Sequence, residues 1–405
     1  MKAIVHGTAI LPDPSDSAFI CVPGRVIVYD ENGIRDICEE DTFCEAALSG
    51  LRYEEVLDAG GRYIAPGFIL AHIHGCDGAD TMDATETAIG RMSRFLAGTG
   101  VTSFLPTTMT CPWGEIEAAL ENIRAFMEKQ GDEEPCGAQV IGAHMEGPFI
   151  SPVKKGSQDR RNILQADFER IAPFADILRV LTIAPEELPP KVRETFPQAC
   201  REAGIRLSIG HTAADYQAAM QAVQHLGIRR FTHLYNAMMG FSHRMPGTVG
   251  AAFDTDAYTE LIADNVHSHP MAQRLAYRMK GRERVILITD SLRACGLGDG
   301  PSELGGQKVY VKGERALLQD GTIAGSVATM DTCLRRFREN TQAPVEEIVQ
   351  MASKNPACDL GLYAERGSIA VGKRADLTVF DADFHIADTI VGGTHVFHRK
   401  RGEER

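Results

Sequence analysis

No two of the ten cysteines in this 405-residue chain stand as a Cys-x-x-Cys pair. Without that spacing there is neither a disulfide framework nor a zinc-ribbon pattern. The thiols, from Cys21 to Cys358, therefore read as reduced and structural, Cys76 and Cys295 among them. Positive charge is also in deficit: 42 Lys and Arg against 55 Asp and Glu give a formal net charge of -13. That balance argues against a nucleic-acid partner, which would demand a basic face, but a small anionic substrate stays open because local positive groups can dominate a cleft. No apolar run approaches the ~18 residues of a membrane helix. The opening Met-Lys-Ala-Ile-Val-His-Gly has too short an apolar stretch for a secretory signal. The expectation is a mature, soluble, cytoplasmic protein without membrane contact, and its 44% hydrophobic and 24% charged residues match globular averages.

What is present has the rhythm of an α/β protein. Short apolar runs of about 4 to 8 residues alternate with helix-like segments, and strands are predicted at 67-74, 101-107, 139-146, 178-184, 206-211, 230-233, 260-264 and 285-290. Eight strands with intervening helices predict a (β/α)8 TIM barrel, whose catalytic groups gather at the C-terminal strand ends. Both chain ends carry shorter β patterns, Ala3 to Val5, Arg25 to Tyr29 and Gly33 to Cys38 at the start, then 367 to 398. The predicted organisation is a small β-sandwich domain from 1-60 and 360-405 and a barrel over 61-359. The glycines at 296, 298 and 300 read as a loop, with no helix to make them a phosphate cradle.

His72 and His74 end the run Ala-Pro-Gly-Phe-Ile-Leu-Ala-His-Ile-His-Gly. Side chains two apart on a strand share a face, so both imidazoles can reach one point, and neutral imidazole is a common ligand for transition metals. Taken alone, the pair fits a solvated strand end equally well. Other strand ends carry similar residues: Glu146 closes Gln-Val-Ile-Gly-Ala-His-Met-Glu, His211 closes Arg-Leu-Ser-Ile-Gly-His, His233 closes Arg-Phe-Thr-His and Asp290 closes Val-Ile-Leu-Ile-Thr-Asp. Asp290 by itself could be a helix cap. Five strand ends with metal-capable residues are harder to assign to capping.

The segments His72-x-His74, His144-Met-Glu146-Gly-Pro-Phe, Gly210-His211-Thr212, Thr232-His233-Leu-Tyr-Asn-Ala-Met and Thr289-Asp290 resemble the amidohydrolase superfamily. Within it they resemble the branch that deacetylates N-acetylhexosamine 6-phosphates. The likeness continues through Leu-Gln-Asp-Gly-Thr-Ile-Ala-Gly-Ser at 318 to 326, Asn355-Pro-Ala and Gly-Lys-Arg-Ala-Asp at 372 to 376, so it covers nearly the whole chain. It implies that Glu146, His211 and His233 hold one divalent metal and that His72 and His74, with Glu146 bridging, complete a second. Asp290 joins that centre as the catalytic acid and base. One or two ions per subunit are expected, zinc or iron foremost, since these ligands do not choose among first-row metals. The resemblance also implies that Asn236, Ala237, Arg244 and His267 bind a sugar phosphate. A bidentate guanidinium suits that task, and Arg244 would reach into the neighbouring active site of a homodimer. His243 and His269 are read as structural.

Three positions depart from the pattern. Leu70 stands where an aspartate often precedes the His-x-His, and Arg293 follows Asp290 where small residues are commoner. Gln158 replaces a histidine that contacts the acetyl carbonyl, a bond an amide can also donate. The expected activity is metal-dependent hydrolysis of N-acetyl-D-glucosamine 6-phosphate to D-glucosamine 6-phosphate and acetate. The alternatives are the galacto epimer as substrate, another amidohydrolase reaction such as a cyclic amidase or nucleobase deaminase, and a non-catalytic binding protein on the same barrel.

Overall fold

The computed structural model describes residues 1-48 and 52-400. Its centre is a parallel barrel of β1 (Phe68–Ile73), β2 (Val101–Thr108), β3 (Ala143–Glu146), β4 (Leu178–Ile183), β5 (Arg206–Ile209), β6 (Arg230–Phe231), β7 (Tyr258–Ile262) and β8 (Val285–Ile288), paired in that order. These runs are apolar almost throughout because helices cover the sheet outside and side chains fill it inside; every residue of β1 and β2 is buried. The circle closes just beyond the first and last strands, where Asp290 N donates to His72 O at 3.1 Å and His74 N to Ser291 O at 2.9 Å. The closure itself thus fixes the backbone at His72, His74 and Asp290.

The covering helices start and face inward for visible reasons. Thr85 caps Glu86–Ala97 by accepting from Ala88 N, and its buried Ile89, Met92 and Leu96 recur at helical spacing toward the core. Asp215 caps Tyr216–Gln224 in the same way. His269 caps Pro270–Arg284, accepting from Met271 N, which gives this histidine a structural task, while His243 is exposed.

Strands from both ends of the chain form two further sheets. One orders Gly33–Glu39, Arg25–Asp30, Lys2–Val5 and Glu55–Asp58; the other orders Thr394–His398, Ile386–Val391, Leu377–Phe380, Tyr63–Pro66, Thr8–Pro12 and Phe19–Pro23. Ile4, Ile27, Ile64, Leu377, Val379 and Ile390 share their core. Gly392 and Gly393, both at positive φ, turn the last hairpin, as a tight two-residue connection requires. Residues 49-51 and 401-405 of the predicted β domain lie outside the described residues. The loop expected around the glycines 296 to 300 leads into a three-stranded antiparallel sheet, Gly300–Leu304, Gln307–Lys312 and Arg315–Leu318. Its alternating exposure over Gln307–Lys312 is the period-2 pattern of a strand with one face in solvent. Among the described residues, no helix is long and apolar enough to cross a membrane.

Candidate metal centre

Each barrel strand that carries a singled-out residue delivers it to the same end. His72 lies in β1 and His74 just past it, Glu146 ends β3, and His211, His233 and Asp290 each sit two residues beyond β5, β6 and β8. These last three have positive φ, 47°, 30° and 49°, a left-handed turn that L residues adopt at a cost of roughly 1–3 kcal/mol. The turn swings the side chain off the strand line and into the barrel mouth. Gly156, also left-handed, allows close approach, for a Cβ there would lie 3.2 Å from His211 Cε1.

All six side chains are buried and converge on Glu146. Its Oε1 lies 3.0 Å from His233 Nε2, 3.2 Å from His211 Nε2 and 3.4 Å from His72 Nε2, while Oε2 lies 3.2 Å from His74 Nε2. Asp290 Oδ1 is 3.2 Å from His74 Nε2 and 3.4 Å from His72 Nε2. Two groups of ligand atoms result, His72 with His74 and Glu146, and Glu146 with His211 and His233; within each the atoms lie inside 4.8 Å of one another.

The outer ring nitrogens decide what this arrangement can hold. His72 Nδ1 faces Glu260 Oε2 at 3.0 Å, His74 Nδ1 faces Thr107 O at 3.1 Å, and His211 Nδ1 faces Lys154 O at 3.1 Å. Each of these partners can only accept, so each Nδ1 carries the proton and each Nε2 lone pair points inward. His72 Nε2 is buried without a hydrogen-bond partner, and His211 Nε2 and His233 Nε2 face each other at 3.1 Å. Protonating all these adjacent rings would pack like charges into a dry site. A divalent cation satisfies every inward lone pair and both carboxylates at once. The donor set therefore fits a divalent metal, and imidazole with carboxylate leaves the element open.

Without that cation, protons on some of the inward nitrogens stand in for it, and the pKa shifts show how strongly the two carboxylates draw positive charge. Burial alone would raise the Glu146 pKa, but the His211 and His72 charges, with hydrogen bonds from His211 and His233, hold it well below the usual carboxylate range. Asp290 is likewise lowered, burial being outweighed by His72 and by a hydrogen bond from His74. Burial would lower His74, yet its bonds to Asp290 and Glu146 raise it well above an ordinary imidazole.

Of the remaining predicted residues, Gln158 touches this centre through Glu146 and Asn236 through the backbone of His233. Gln158 Nε2 donates to Glu146 Oε2 at 2.6 Å and its Oε1 accepts from Thr110 N at 2.7 Å, so this amide orients the carboxylate. Asn236 Nδ2 donates to His233 O and Leu234 O, both at 3.2 Å, and Ala237 O accepts from Thr212 N at 3.0 Å. Asp264 Oδ2 lies 2.6 Å from His267 Nδ1 and fixes that ring, turning Nε2 away from the aspartate. Arg244 is different. It sits in an exposed stretch, 241 to 245, and forms no ion pair among the described residues, so the structure does not join it to the cluster. Arg293 is engaged elsewhere, 2.8 Å from Asp83 and 3.9 Å from Asp80. Leu70 is buried in the barrel, and Cys76 and Cys295 are buried too.

Sequence reasoning missed Glu260, Arg230 and Asp359, which lie beneath His72. The available signal was a glutamate inside the otherwise apolar run of β7, Tyr-Thr-Glu-Leu-Ile; a charge there must be paired if it is buried.

Residues 63-397 match the model of the amidohydrolase family. The chain is 40% identical over 356 residues to the N-acetylglucosamine-6-phosphate deacetylase of Bacillus subtilis (strain 168), covering 87% of this chain and 89% of that one. It is 35% identical over 346 residues to the N-acetylgalactosamine-6-phosphate deacetylase of Escherichia coli O157:H7, covering 84% and 89%. Among solved structures, the N-acetylglucosamine-6-phosphate deacetylase of Pasteurella multocida superposes with a TM-score of 0.87 at 29% identity, over 97% of this chain and 99% of that chain.

Proposed function

The chain belongs to the amidohydrolase family, and from that premise we propose that it hydrolyses N-acetyl-D-glucosamine 6-phosphate to D-glucosamine 6-phosphate and acetate. The observation that carries the chemistry is the convergence of four inward imidazoles on Glu146 beside Asp290. Glu146, His211 and His233 would hold one divalent ion and His72, His74 and Glu146 a second, which would acidify a water and polarise the acetyl carbonyl when bound. Asp290 takes a proton from the water as its oxygen bonds to the acetyl carbon, and returns that proton to the sugar nitrogen as the C–N bond breaks. Gln158 holds Glu146 in place and has a second amide N–H for the substrate carbonyl. Zinc and iron both suit the donor set.

Asn236, Ala237, Arg244 and His267 form the phosphate side of this reading. Arg244 is unpaired on an exposed stretch flanked by exposed Phe241 and Met245, which supports a homodimer in which it enters the neighbouring subunit's site and grips the phosphate bidentately. The absence of paired-cysteine spacing supports a cytoplasmic home.

The test is acetate release from the phosphosugar, abolished by a chelator and restored by metal. No release from metal-loaded protein would overturn the assignment. The galacto epimer is the alternative: an N-acetylgalactosamine-6-phosphate deacetylase stands among the relatives at 35% identity, below the 40% of the gluco enzyme of Bacillus subtilis, so it is not the favoured reading. Comparing kcat/KM on the two sugars separates them, with the gluco sugar expected to be preferred.

A further inference from the structure

Beneath the metal centre runs a buried line of charge that the reaction itself does not use. Glu260 on β7 has no exposed surface, and its Oε2 accepts from His72 Nδ1 at 3.0 Å and from His233 N at 3.1 Å. Its Oε1 accepts from Arg230 of β6, which in turn donates to Asp359. Arg230 is 1% exposed. A barrel interior is normally filled by layers of apolar side chains, and charges placed there are expensive unless every one is paired. We infer that Glu260, anchored by Arg230 and Asp359, is a positioning residue that sets the tautomer of His72 and thereby the capture of the second ion.

The geometry makes this a matter of counting acceptors. Arg230 presents its Nη2 donor to one Glu260 oxygen, while His72 Nδ1 and the His233 amide present donors to the other. A carboxylate has an acceptor at both ends; an amide has one. In Glu260→Gln the amide oxygen is drawn to the guanidinium, so the NH2 group turns to His72. The imidazole then answers with a lone pair at Nδ1, and its proton moves to Nε2, the atom that faces Glu146 and Asp290. A ring with Nε2–H cannot ligate there. The same glutamate braces His233, whose left-handed backbone needs its N–H held, so Glu260 ties together one ligand from each half of the centre. Arg230 is the reason a neutral isostere cannot substitute.

The inference rests on the metal reading above, and the experiment keeps the two apart. Metal content and chelator-competition affinity are measured on wild type and Glu260→Gln, together with 15N imidazole resonances of the metal-free proteins at alkaline pH, assigned by omission in His72→Asn. The expected result is retention of one ion, a dissociation constant for the other raised about 10- to 100-fold, and a His72 proton moved from Nδ1 to Nε2. Two ions bound as tightly as in wild type, with the tautomer unchanged, would overturn the positioning role. Wild-type protein that binds no stoichiometric metal would instead sink the metal reading, and the His72 tautomer would still judge the network. Should Glu260→Gln fail to fold, the wild-type resonances decide alone: a His72 proton on Nδ1 supports the inference, and one on Nε2 overturns it.

Discussion

Glu146 at the barrel mouth and Asp388 on the outer sheet each gather histidines around one carboxylate, and of these two clusters only the first has the makings of a metal centre. At the barrel mouth, Glu146 meets four imidazoles. On the last hairpin of the small sheets, Asp388 Oδ1 lies 2.9 Å from His395 Nε2 and 2.6 Å from His398 Nδ1, with Glu55 3.3 Å from His395 Nδ1. The second group resolves its contacts by protonation: the Asp388 hydrogen bond raises the His395 pKa, and the His398 side chain is 61% exposed, so water screens the charge. In the first group a proton relieves only part of the crowding: His74 is raised as His395 is, but the other rings are buried beside it and like charges there repel. Four buried rings share one carboxylate, two ring nitrogens face each other, and three of the outer nitrogens are committed to acceptors. Residue types alone do not distinguish these clusters; burial and the direction of lone pairs do.

That contrast can be broken most sharply at Asp290. Asp290→Asn should keep fold and metal while kcat falls roughly 10²- to 10⁴-fold, the usual range for a lost acid–base group, and steady-state kinetics with metal analysis on one preparation would show it. Near-wild-type turnover would remove Asp290 from its role. Glu146→Gln should empty the barrel centre of metal, whereas Asp388→Asn should leave metal content and kcat unchanged; equal metal loss in both variants would erase the distinction. A smaller effect is expected at Arg244. Arg244→Ala should raise KM by roughly 10- to 100-fold, the 1.5–3 kcal/mol range of a charge-assisted hydrogen bond, with less change in kcat, and unaltered KM would take the guanidinium off the phosphate.

The smallest expected effect is on stability at the Asp388 group. Burial would raise the Asp388 pKa, but bonds from His395 and His398 outweigh it and hold it low. The Asp388 contribution is therefore complete above the unfolded aspartate value of ~3.9 and is lost as pH falls through the lowered folded value. His395, raised in the folded state, contributes fully below ~6.5 and loses that contribution as pH rises through its folded value. Both are complete between those limits. Because the group is partly exposed, the loss on going alkaline should stay under about 1 kcal/mol. Denaturant titrations across pH should show it in the wild type and not in Asp388→Asn; an identical profile in the two would mean the pair contributes nothing.

Much of the barrel and of the cluster at its mouth was legible because the strands that carry it are apolar runs ended by a polar residue. His72, Glu146, His211, His233 and Asp290 all stand at such ends; the structure gathers the histidines around Glu146 and sets Asp290 against His72 and His74. What orients them was not legible. Thr107 and Lys154 act through backbone carbonyls, which any residue type supplies, and Glu260 lies in mid-strand, where its charge reads only as an interruption. The hairpin sheet from Gly300 to Leu318 was hidden by its glycine-rich approach, although the alternation in Gln307–Lys312 was there to be found. Arg244 carried a signal only through its motif, and in the structure it stands in an exposed stretch with no ion pair among the described residues.

Metal stoichiometry is the most direct test of the barrel cluster as a two-ion centre. Purified wild-type protein, loaded and then freed of excess metal, should carry about two divalent ions per subunit, the count expected of a paired site, and the double variant His72→Ala/His74→Ala should carry about one. A stoichiometry that does not change when both histidines are removed would contradict it.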